Sequence, residues 1–344
     1  MDPRLPVNIL TGFLGSGKTT LLNRLLRDPA FANCAVLINE FGEVGIDHHL
    51  VESVDGDVVL LRSGCVCCTI RGDLSAAMRD LYDRRERGTI PPFARLLIET
   101  TGLADPTPVL ATVMHDPVLR HHFRPGNVIA TVDALHASGQ LENYPESRKQ
   151  VALADRLVLT KSELAGPATV DALIAELALL NPAAELSLAN APILDAEALL
   201  GQDMFQPSGK IDEVGRWLRA AEQRQYFPVH RADPNHHRDI EAFVLEPGEG
   251  IDWSVFSLWL SLLLHRHGDH VLRVKGLLHV DGAETPVAIH GVQQLMHPPQ
   301  HLSRWPEGPR RSSVVFIVRG LQPERVKASW RGFHQRLTDT ASAR

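Results

Sequence analysis

The chain has 344 residues, room for about two domains, and its 35 basic and 41 acidic side chains give a formal net charge of −6. Basic residues are scattered along the chain, so the charge pattern predicts neither a nucleic-acid partner nor binding to an anionic membrane. Four cysteines, three of them clustered, do not make a disulfide framework and favour a reducing compartment. We therefore expect a soluble, cytoplasmic protein.

Two stretches of the sequence bear on location. The chain begins Met1-Asp2-Pro3-Arg4 and runs directly into a strand-like segment, so we expect no signal peptide. The most apolar stretch, 253–264, is about 12 residues long, well short of the roughly 20 that a membrane span needs. Serines recur in it at helical spacing, which predicts a soluble helix with one polar stripe.

Over about the first 200 residues, short apolar runs alternate with helical patterns. The apolar runs predict strands at 7–13, 34–41, 57–64, 94–102, 127–134, 155–162 and 185–190. Helices are predicted between several of these strands, for example at 18–28 and 169–181. This alternation favours an α/β fold with a doubly wound, mainly parallel sheet that is covered on both faces.

From about residue 225 the order of elements changes. The pattern predicts strand 240–246, helix 252–266, strands 271–280, 286–295 and 313–319, and helix 323–337. The residues DGAET join two of these strands as in a hairpin, which predicts a smaller α+β domain with an antiparallel sheet. We accordingly expect one domain at 1–205, a linker at 206–225 and a second domain at 226–344.

The sequence GFLGSGKT, at 12–19, matches the phosphate-loop pattern G-x-x-x-x-G-K-[ST] and lies between a predicted strand and a predicted helix. Glycines allow successive backbone N–H groups to point at an anion, and the N-terminal end of the following helix adds positive potential. We expect Lys18 to contact the β- and γ-phosphates of a nucleotide and the Thr19 hydroxyl to bind Mg²⁺.

A second nucleotide-contacting segment is predicted at LLIETTG, 96–102, where an apolar strand ends in an acidic residue. We expect Glu99 to associate with Mg²⁺, usually through water, and the Gly102 N–H to approach the γ-phosphate. No glutamine follows Gly102, where many GTPases orient the attacking water. We therefore expect slow intrinsic hydrolysis, with a partner or a metal completing the site.

The choice of base is predicted from LTKSE, 159–163, which is similar to the guanine-reading motif N-K-x-D. Thr160 and Glu163 stand in place of Asn and Asp. A carboxylate accepts hydrogen bonds from the two donors on the edge of guanine, and the Lys161 stem would pack against the ring. Adenine has no such pair of donors, so the motif favours GTP, although the longer Glu163 leaves the strength of that preference open.

Three cysteines, Cys65, Cys67 and Cys68, form a C-x-C-C motif between 38–47 and 98–102, where the nucleotide-sensitive switches of a phosphate-loop GTPase belong. Thiolates suit Zn²⁺, Cu⁺ and related ions, and Zn²⁺ takes four tetrahedral ligands. A turn must bring the three thiols together, because an extended backbone places neighbouring side chains on opposite faces.

The remaining ligands of such a metal are open: Glu40, Glu43, His48, His49, a water or a partner would supply them. Alternatives for the cysteines are apolar packing and a redox pair. The fourth cysteine, Cys34, begins an apolar strand and is expected to be packing.

Five segments, GFLGSGKTTLLN, INEFGEVGID, GCVCCT, IETTGLADP and LTKSE, resemble the CobW-like family of phosphate-loop GTPases. The run from LRVKGLLHVDG to VVFIVRGL resembles the C-terminal domain of that family, so the resemblance spans nearly the whole chain. It implies a GTP-dependent metal chaperone or insertase that handles Zn²⁺ or Co²⁺.

Carried over by position, the resemblance implies a phosphate-loop NTPase fold, a transferable-metal site at the three motif cysteines, a Mg²⁺-associated acid at Glu99, and a base site at Lys161 and its neighbours. The phosphate loop that it implies runs through Gly12, Gly15, Ser16, Gly17, Lys18, Thr19 and Thr20.

We expect a nucleotide-gated metal carrier, in which GTP and Mg²⁺ draw the switch segments together and converge the thiolates. Hydrolysis then releases the ion to a client protein. Two alternatives are a phosphotransferase that acts on a small acceptor, although there is no lid-like arginine cluster, and a thiol-based redox or metal sensor. The physiological metal, the client and the formation of a homo-oligomer stay open.

Overall fold

A computed structural model of the chain describes residues 2–28, 33–39, 51–54, 58–63, 70–190, 199–200, 239–306 and 310–342. The chain divides into two compact units, Met1–Ala175 with Ala184–Gln206 and Glu176–Ala183 with Pro207–Arg344. The domain limits expected from the sequence remain a prediction, because most of the stretch between the last strand of the first unit and residue 239 lies outside the described residues.

The described part of residues 2–190 alternates strands and helices. The strands are β1 (Leu5–Gly12), β2 (Cys34–Asn39), β3 (Val51–Val54), β4 (Val58–Ser63), β5 (Arg95–Glu99), β6 (Phe123–Asp133), β7 (Arg156–Thr160) and β8 (Glu185–Leu188). The helices are α1 (Lys18–Leu25), α2 (Ile70–Glu86), α3 (Thr107–His115), α4 (Leu119–His122), α5 (Ala137–Asn143), α6 (Pro145–Leu153) and α7 (Pro167–Leu180).

These strands form one sheet in the order β3-β4-β2-β5-β1-β6-β7-β8. All neighbours are parallel except β3 and β4, so the predicted mainly parallel, doubly wound sheet is confirmed. The sequence did not indicate β3, a four-residue edge strand that its pairing with β4 defines. The buried apolar run Val7, Ile9 and Leu10 of β1 is typical of a strand covered on both faces.

The order of connections positions the candidate site. The chain builds β2, β4 and β5 on one side of β1 and then crosses to β6, β7 and β8 on the other side. Because these strands are parallel, the carboxyl ends of β1, β5 and β7 lie at the same edge of the sheet. Ligands of open α/β sheets bind at this edge, where the strand order reverses.

The second described region, from residue 239, is an antiparallel α+β unit, as predicted. Its elements are β9 (Ile240–Leu245), α8 (Trp253–His267), β10 (Val271–Leu278), β11 (Val287–Val292), β12 (Leu295–Met296), β13 (Gln300–His301), β14 (Ser313–Arg319) and α9 (Pro323–Ser342). The sheet order is β12-β11-β10-β14-β9, with β13 also paired to β11, and the predicted hairpin is the antiparallel pair β10–β11.

Helix α8 shows why this second unit folds. Asp252 caps its N-terminus by accepting hydrogen bonds from the backbone N–H groups of Ser254 (2.7 Å) and Val255 (3.2 Å). One face of the helix packs into an aromatic core in which the Trp259 and Trp330 rings lie 5.2 Å apart. Of the helices that the structure describes, none combines the length and the apolar character that crossing a bilayer requires.

Candidate functional site

The phosphate loop joins the end of β1 to the start of α1. Gly17 caps α1 with a left-handed backbone, φ 86°. Gly12 also has positive φ, 139°, and a Cβ at this position would lie 2.3 Å from Thr131 Oγ1 on β6, so a side chain has no room. The Ser16 hydroxyl lies 2.7 Å from the same Thr131 oxygen. The loop is therefore held against β6 with a backbone that glycine allows, which fits the expected cradle for phosphates.

The Lys18 side chain contacts the backbone of this loop. Its Nζ donates hydrogen bonds to the carbonyls of Gly12 (2.9 Å) and Phe13 (3.2 Å). Burial lowers the pKa of the Lys18 ammonium, and the charge of the nearby Glu99 carboxylate partly offsets that effect. The structure thus places the half-buried Lys18 ammonium against the phosphate loop, where the sequence predicts contact with the phosphates.

Thr19 and Glu99 form the candidate magnesium site. They are 80 positions apart in sequence, and the Thr19 hydroxyl donates a 2.8 Å hydrogen bond to Glu99 Oε1. The Glu99 side chain is buried at the end of β5. Hydroxyl and carboxylate oxygens are ligands that Mg²⁺ takes in proteins, directly or through its bound waters. The side chains present therefore fit Mg²⁺, with Thr19 and Glu99 as the residues that would hold it.

The segment after β5 contacts the phosphate loop directly. A Cβ built on Gly102 would lie 2.7 Å from the backbone nitrogen of Leu14 and 2.8 Å from its Cα. Earlier in the segment, the Thr100 N–H donates to the Leu10 carbonyl at 2.9 Å, which continues the alignment of the segment with β1. Only glycine allows this approach, so the structure places Gly102 directly against the phosphate loop; its contact with a γ-phosphate stays a prediction.

The predicted base-reading motif follows β7 and also contacts the phosphate loop. The Thr160 hydroxyl donates to the Ser16 carbonyl at 2.8 Å and lies 3.2 Å from the Val132 carbonyl. Lys161 has a left-handed backbone, φ 55°, and its Nζ donates to the Gly15 carbonyl at 2.9 Å. The third residue of the motif, Glu163, has an exposed side chain.

Sequence reasoning missed Asp133, at the end of β6, which pairs with Thr160 in the sheet register. Asp133 Oδ2 accepts a 2.7 Å hydrogen bond from Lys161 Nζ, and His136 Nδ1 lies 2.9 Å from the same oxygen. Burial would raise the pKa of Asp133, but hydrogen bonds from Lys161, from His136 and from the Leu135 N–H lower it below its ordinary value. The available signal was an acidic residue at a strand end, as for Glu99.

The metal residues predicted from the sequence, Cys65, Cys67, Cys68, Glu40 and Glu43, lie outside the described residues, as does the geometry of their site. The structure does describe the two strands that precede these residues in the chain. Strands β2 and β4 end side by side in parallel register, and the carboxyl ends of both strands lie at the sheet edge that carries the phosphate loop. Within the described residues, no group of three or more His, Cys, Asp or Glu side chains forms a further metal site.

Cys34, the cysteine outside the motif, is fully buried at the start of β2. Burial raises the pKa of its thiol to about 12, so this thiol stays protonated at neutral pH. The prediction that Cys34 serves packing is confirmed.

Comparison with known proteins extends these findings over both units. Residues 6–187 match the family model described as the CobW/HypB/UreG nucleotide-binding domain. The chain belongs to the CobW/HypB/UreG family. Residues 240–334 match the model described as the cobalamin synthesis protein cobW C-terminal domain. The resemblance read from the sequence is therefore confirmed.

Relatives in this family cover nearly the whole chain. The zinc chaperone YjiA of Escherichia coli is 33% identical over 335 residues, covering 97% of this chain and 100% of the relative. The zinc chaperone CobW of Pseudomonas aeruginosa is 29% identical over 352 residues, covering 92% and 87%. The crystal structure of the Zn(II)-bound YjiA GTPase from E. coli superposes with a TM-score of 0.74 at 30% identity, covering 96% of this chain and 99% of that one.

Proposed function

We propose that this chain is a GTP-hydrolysing metallochaperone that carries zinc at its C-x-C-C motif and delivers it to a client protein. One observation carries the proposal: the strands that lead into the cysteine motif and into the preceding switch segment end at the same sheet edge as the phosphate loop. A nucleotide bound at this edge therefore lies on the side of the sheet where both strands end, and it can act on the segments that follow them. Two relatives that match nearly the full chain are named zinc chaperones, which supports zinc as the cargo.

The side chains of the candidate site have separate roles in the nucleotide chemistry. Lys18 neutralises charge on the β- and γ-phosphates. Thr19 and Glu99 would hold Mg²⁺, which would supply further positive charge to the phosphate oxygens. Thr160 and Lys161 hold the loop from the side of the base, and Glu163 accepts hydrogen bonds from guanine. Since Leu103 follows Gly102 in place of a water-orienting glutamine, intrinsic hydrolysis is slow.

Gating follows from thermodynamic linkage between the two ligands. If bound GTP tightens the binding of Zn²⁺, then Zn²⁺ must tighten the binding of GTP by the same factor. The coupling free energy is typically about 1–3 kcal/mol, or roughly 5- to 150-fold in affinity. Zinc binds the thiolate forms of Cys65, Cys67 and Cys68, so binding releases protons and the affinity falls as the pH falls. Hydrolysis removes the γ-phosphate contacts, and the weaker site releases the ion to the client.

The decisive experiment measures Zn²⁺ affinity by competition with a fluorescent chelator, in the presence of GDP or of a non-hydrolysable GTP analogue. We expect tighter binding with the analogue and transfer of zinc to the chelator as GTP is hydrolysed. Cys67→Ser should abolish tight binding, whereas Cys34→Ala, the matched control, removes a buried thiol and should keep it. Equal affinities in the two nucleotide states would refute gating, and disulfide formation without zinc transfer would favour a thiol sensor.

A further inference from the structure

Helix α6 carries a glutamine that the nucleotide chemistry above does not use. Gln150 is 1% exposed, and its Nε2 donates hydrogen bonds to the Gly102 carbonyl (3.1 Å) and the Ala104 carbonyl (3.0 Å). Its Oε1 is buried and accepts no hydrogen bond from the described residues. Helix α6 therefore presents the donor end of this amide to two carbonyls of the segment that follows β5.

The neighbouring residue of α6 holds the far end of the same segment. Lys149 Nζ donates a 2.7 Å hydrogen bond to Asp105 Oδ2. The other oxygen of that carboxylate, Oδ1, accepts the Thr107 N–H at 2.9 Å, where α3 begins. Two consecutive residues of one helix thus hold the segment from Gly102 to Asp105 at both ends.

Two further contacts of the segment are described. It makes one internal turn, in which the Ala104 N–H donates to the Thr101 carbonyl at 3.1 Å. The Leu103 side chain between these contacts is 52% exposed. At its start, Gly102 packs against the backbone of Leu14 in the phosphate loop with no space for a side chain. The Gly102 carbonyl and the Gly102 N–H flank the same Cα, so a shift of residue 102 also moves the N–H that the γ-phosphate is expected to meet.

We propose that Gln150 is a positioning residue for the GTP-bound state, an inference that rests on the proposed GTPase function. By holding the Gly102 and Ala104 carbonyls, Gln150 keeps the Gly102 N–H in place for the γ-phosphate before the nucleotide binds. GDP has no γ-phosphate, so its binding does not depend on this preorganisation. Gln150 accordingly determines the preference for GTP over GDP and the rate of hydrolysis, while the affinity for GDP is independent of it.

The test compares full-length wild type with Gln150→Met, which keeps the length of the side chain and removes both donors. We expect affinity for a non-hydrolysable GTP analogue and kcat each to fall by about tenfold or more, with GDP affinity within about twofold of wild type. Arg148→Met is the matched control on the same helix, because the Arg148 guanidinium donates to the carbonyls of Leu141 and Glu142. It should leave the GTP-to-GDP ratio unchanged.

Two outcomes would overturn the proposal: an unchanged GTP-to-GDP ratio, including an equal loss of affinity for both nucleotides, or the same shift of that ratio in the Arg148 variant. If Gln150→Met does not fold, Lys149→Met replaces it, since it leaves the buried amide intact and should lower the GTP-to-GDP ratio in the same direction by a smaller factor. Wild-type protein that binds neither nucleotide would instead refute the proposed function.

Discussion

Replacing Thr160 by valine tests whether the predicted base-reading motif after β7 holds the phosphate loop in place. Threonine and valine have nearly the same shape, so Thr160→Val removes the hydroxyl that donates to the Ser16 carbonyl at 2.8 Å and little else. Both residues are buried, at 6% and 1% exposure, so water does not readily replace the lost donor. The substitution leaves a buried carbonyl unsatisfied.

The magnitude follows from that desolvated carbonyl. An unsatisfied buried acceptor costs about 1–3 kcal/mol, which corresponds to roughly 5- to 150-fold in an equilibrium constant. The carbonyl of Ser16 and the N–H of Gly17 belong to one planar peptide and point in opposite directions. Holding the carbonyl toward Thr160 therefore directs the Gly17 N–H away from β7, for use by phosphate. Since GTP and GDP both carry a β-phosphate, affinity for both should fall by about tenfold.

The assay is a fluorescence titration with labelled GDP and with a labelled GTP analogue, accompanied by urea unfolding without nucleotide. Thr160→Ser is the control, because it keeps the hydroxyl and loses only the methyl group, and it should bind both nucleotides within about threefold of wild type. A Thr160→Val protein that binds both nucleotides as tightly as wild type would refute this role of the hydroxyl. A selective loss of GTP alone would place the effect on the γ-phosphate contacts instead.

Three other predictions concern Gly102, Asp133 and the four cysteines. Gly102→Ala forces a Cβ to within 2.7 Å of the Leu14 backbone nitrogen. Overpacking of this kind costs about 1–3 kcal/mol, so affinity for the GTP analogue should fall by about tenfold or more in the same titration. Unchanged affinity would contradict this packing. Asp133→Asn should lower the free energy of urea unfolding by about 1–2 kcal/mol, allowing for the partly exposed lysine partner. Because the pKa of Asp133 is lowered in the folded state, this difference should be full above the ordinary value of 3.8 and disappear as the pH falls through the lowered pKa; a difference that grows in acid would contradict it. In native, metal-free protein, we expect the three motif cysteines to react with a thiol reagent. Cys34 should react only after denaturation, since its thiol is buried and its pKa is raised to about 12. Four reactive thiols in the native protein would contradict the burial.

The sequence predicted a large part of the fold and which segments meet at the candidate nucleotide site. Apolar runs of strand length, separated by helical patterns, indicated the parallel sheet, and the spacing of the phosphate-loop motif placed Lys18 and Thr19 at the start of α1. The short edge strand β3 carries no such pattern of its own. Asp133 and Gln150 were missed because each acts on a segment that is distant in sequence: the Gln150 amide donates to a carbonyl 48 positions away.

Chain order and residue spacing by themselves determined that this protein has a phosphate loop, an acidic strand end after it and a cluster of three thiols between them. Such motifs are local, because a loop of fixed length and a few glycines suffices to shape each one. Only the tertiary structure decided that Glu99 meets Thr19, that Thr160 holds Ser16 and that helix α6 supports Gly102. Those pairings depend on strand order and register, which bring groups 48 to 144 positions apart to a common edge of the sheet.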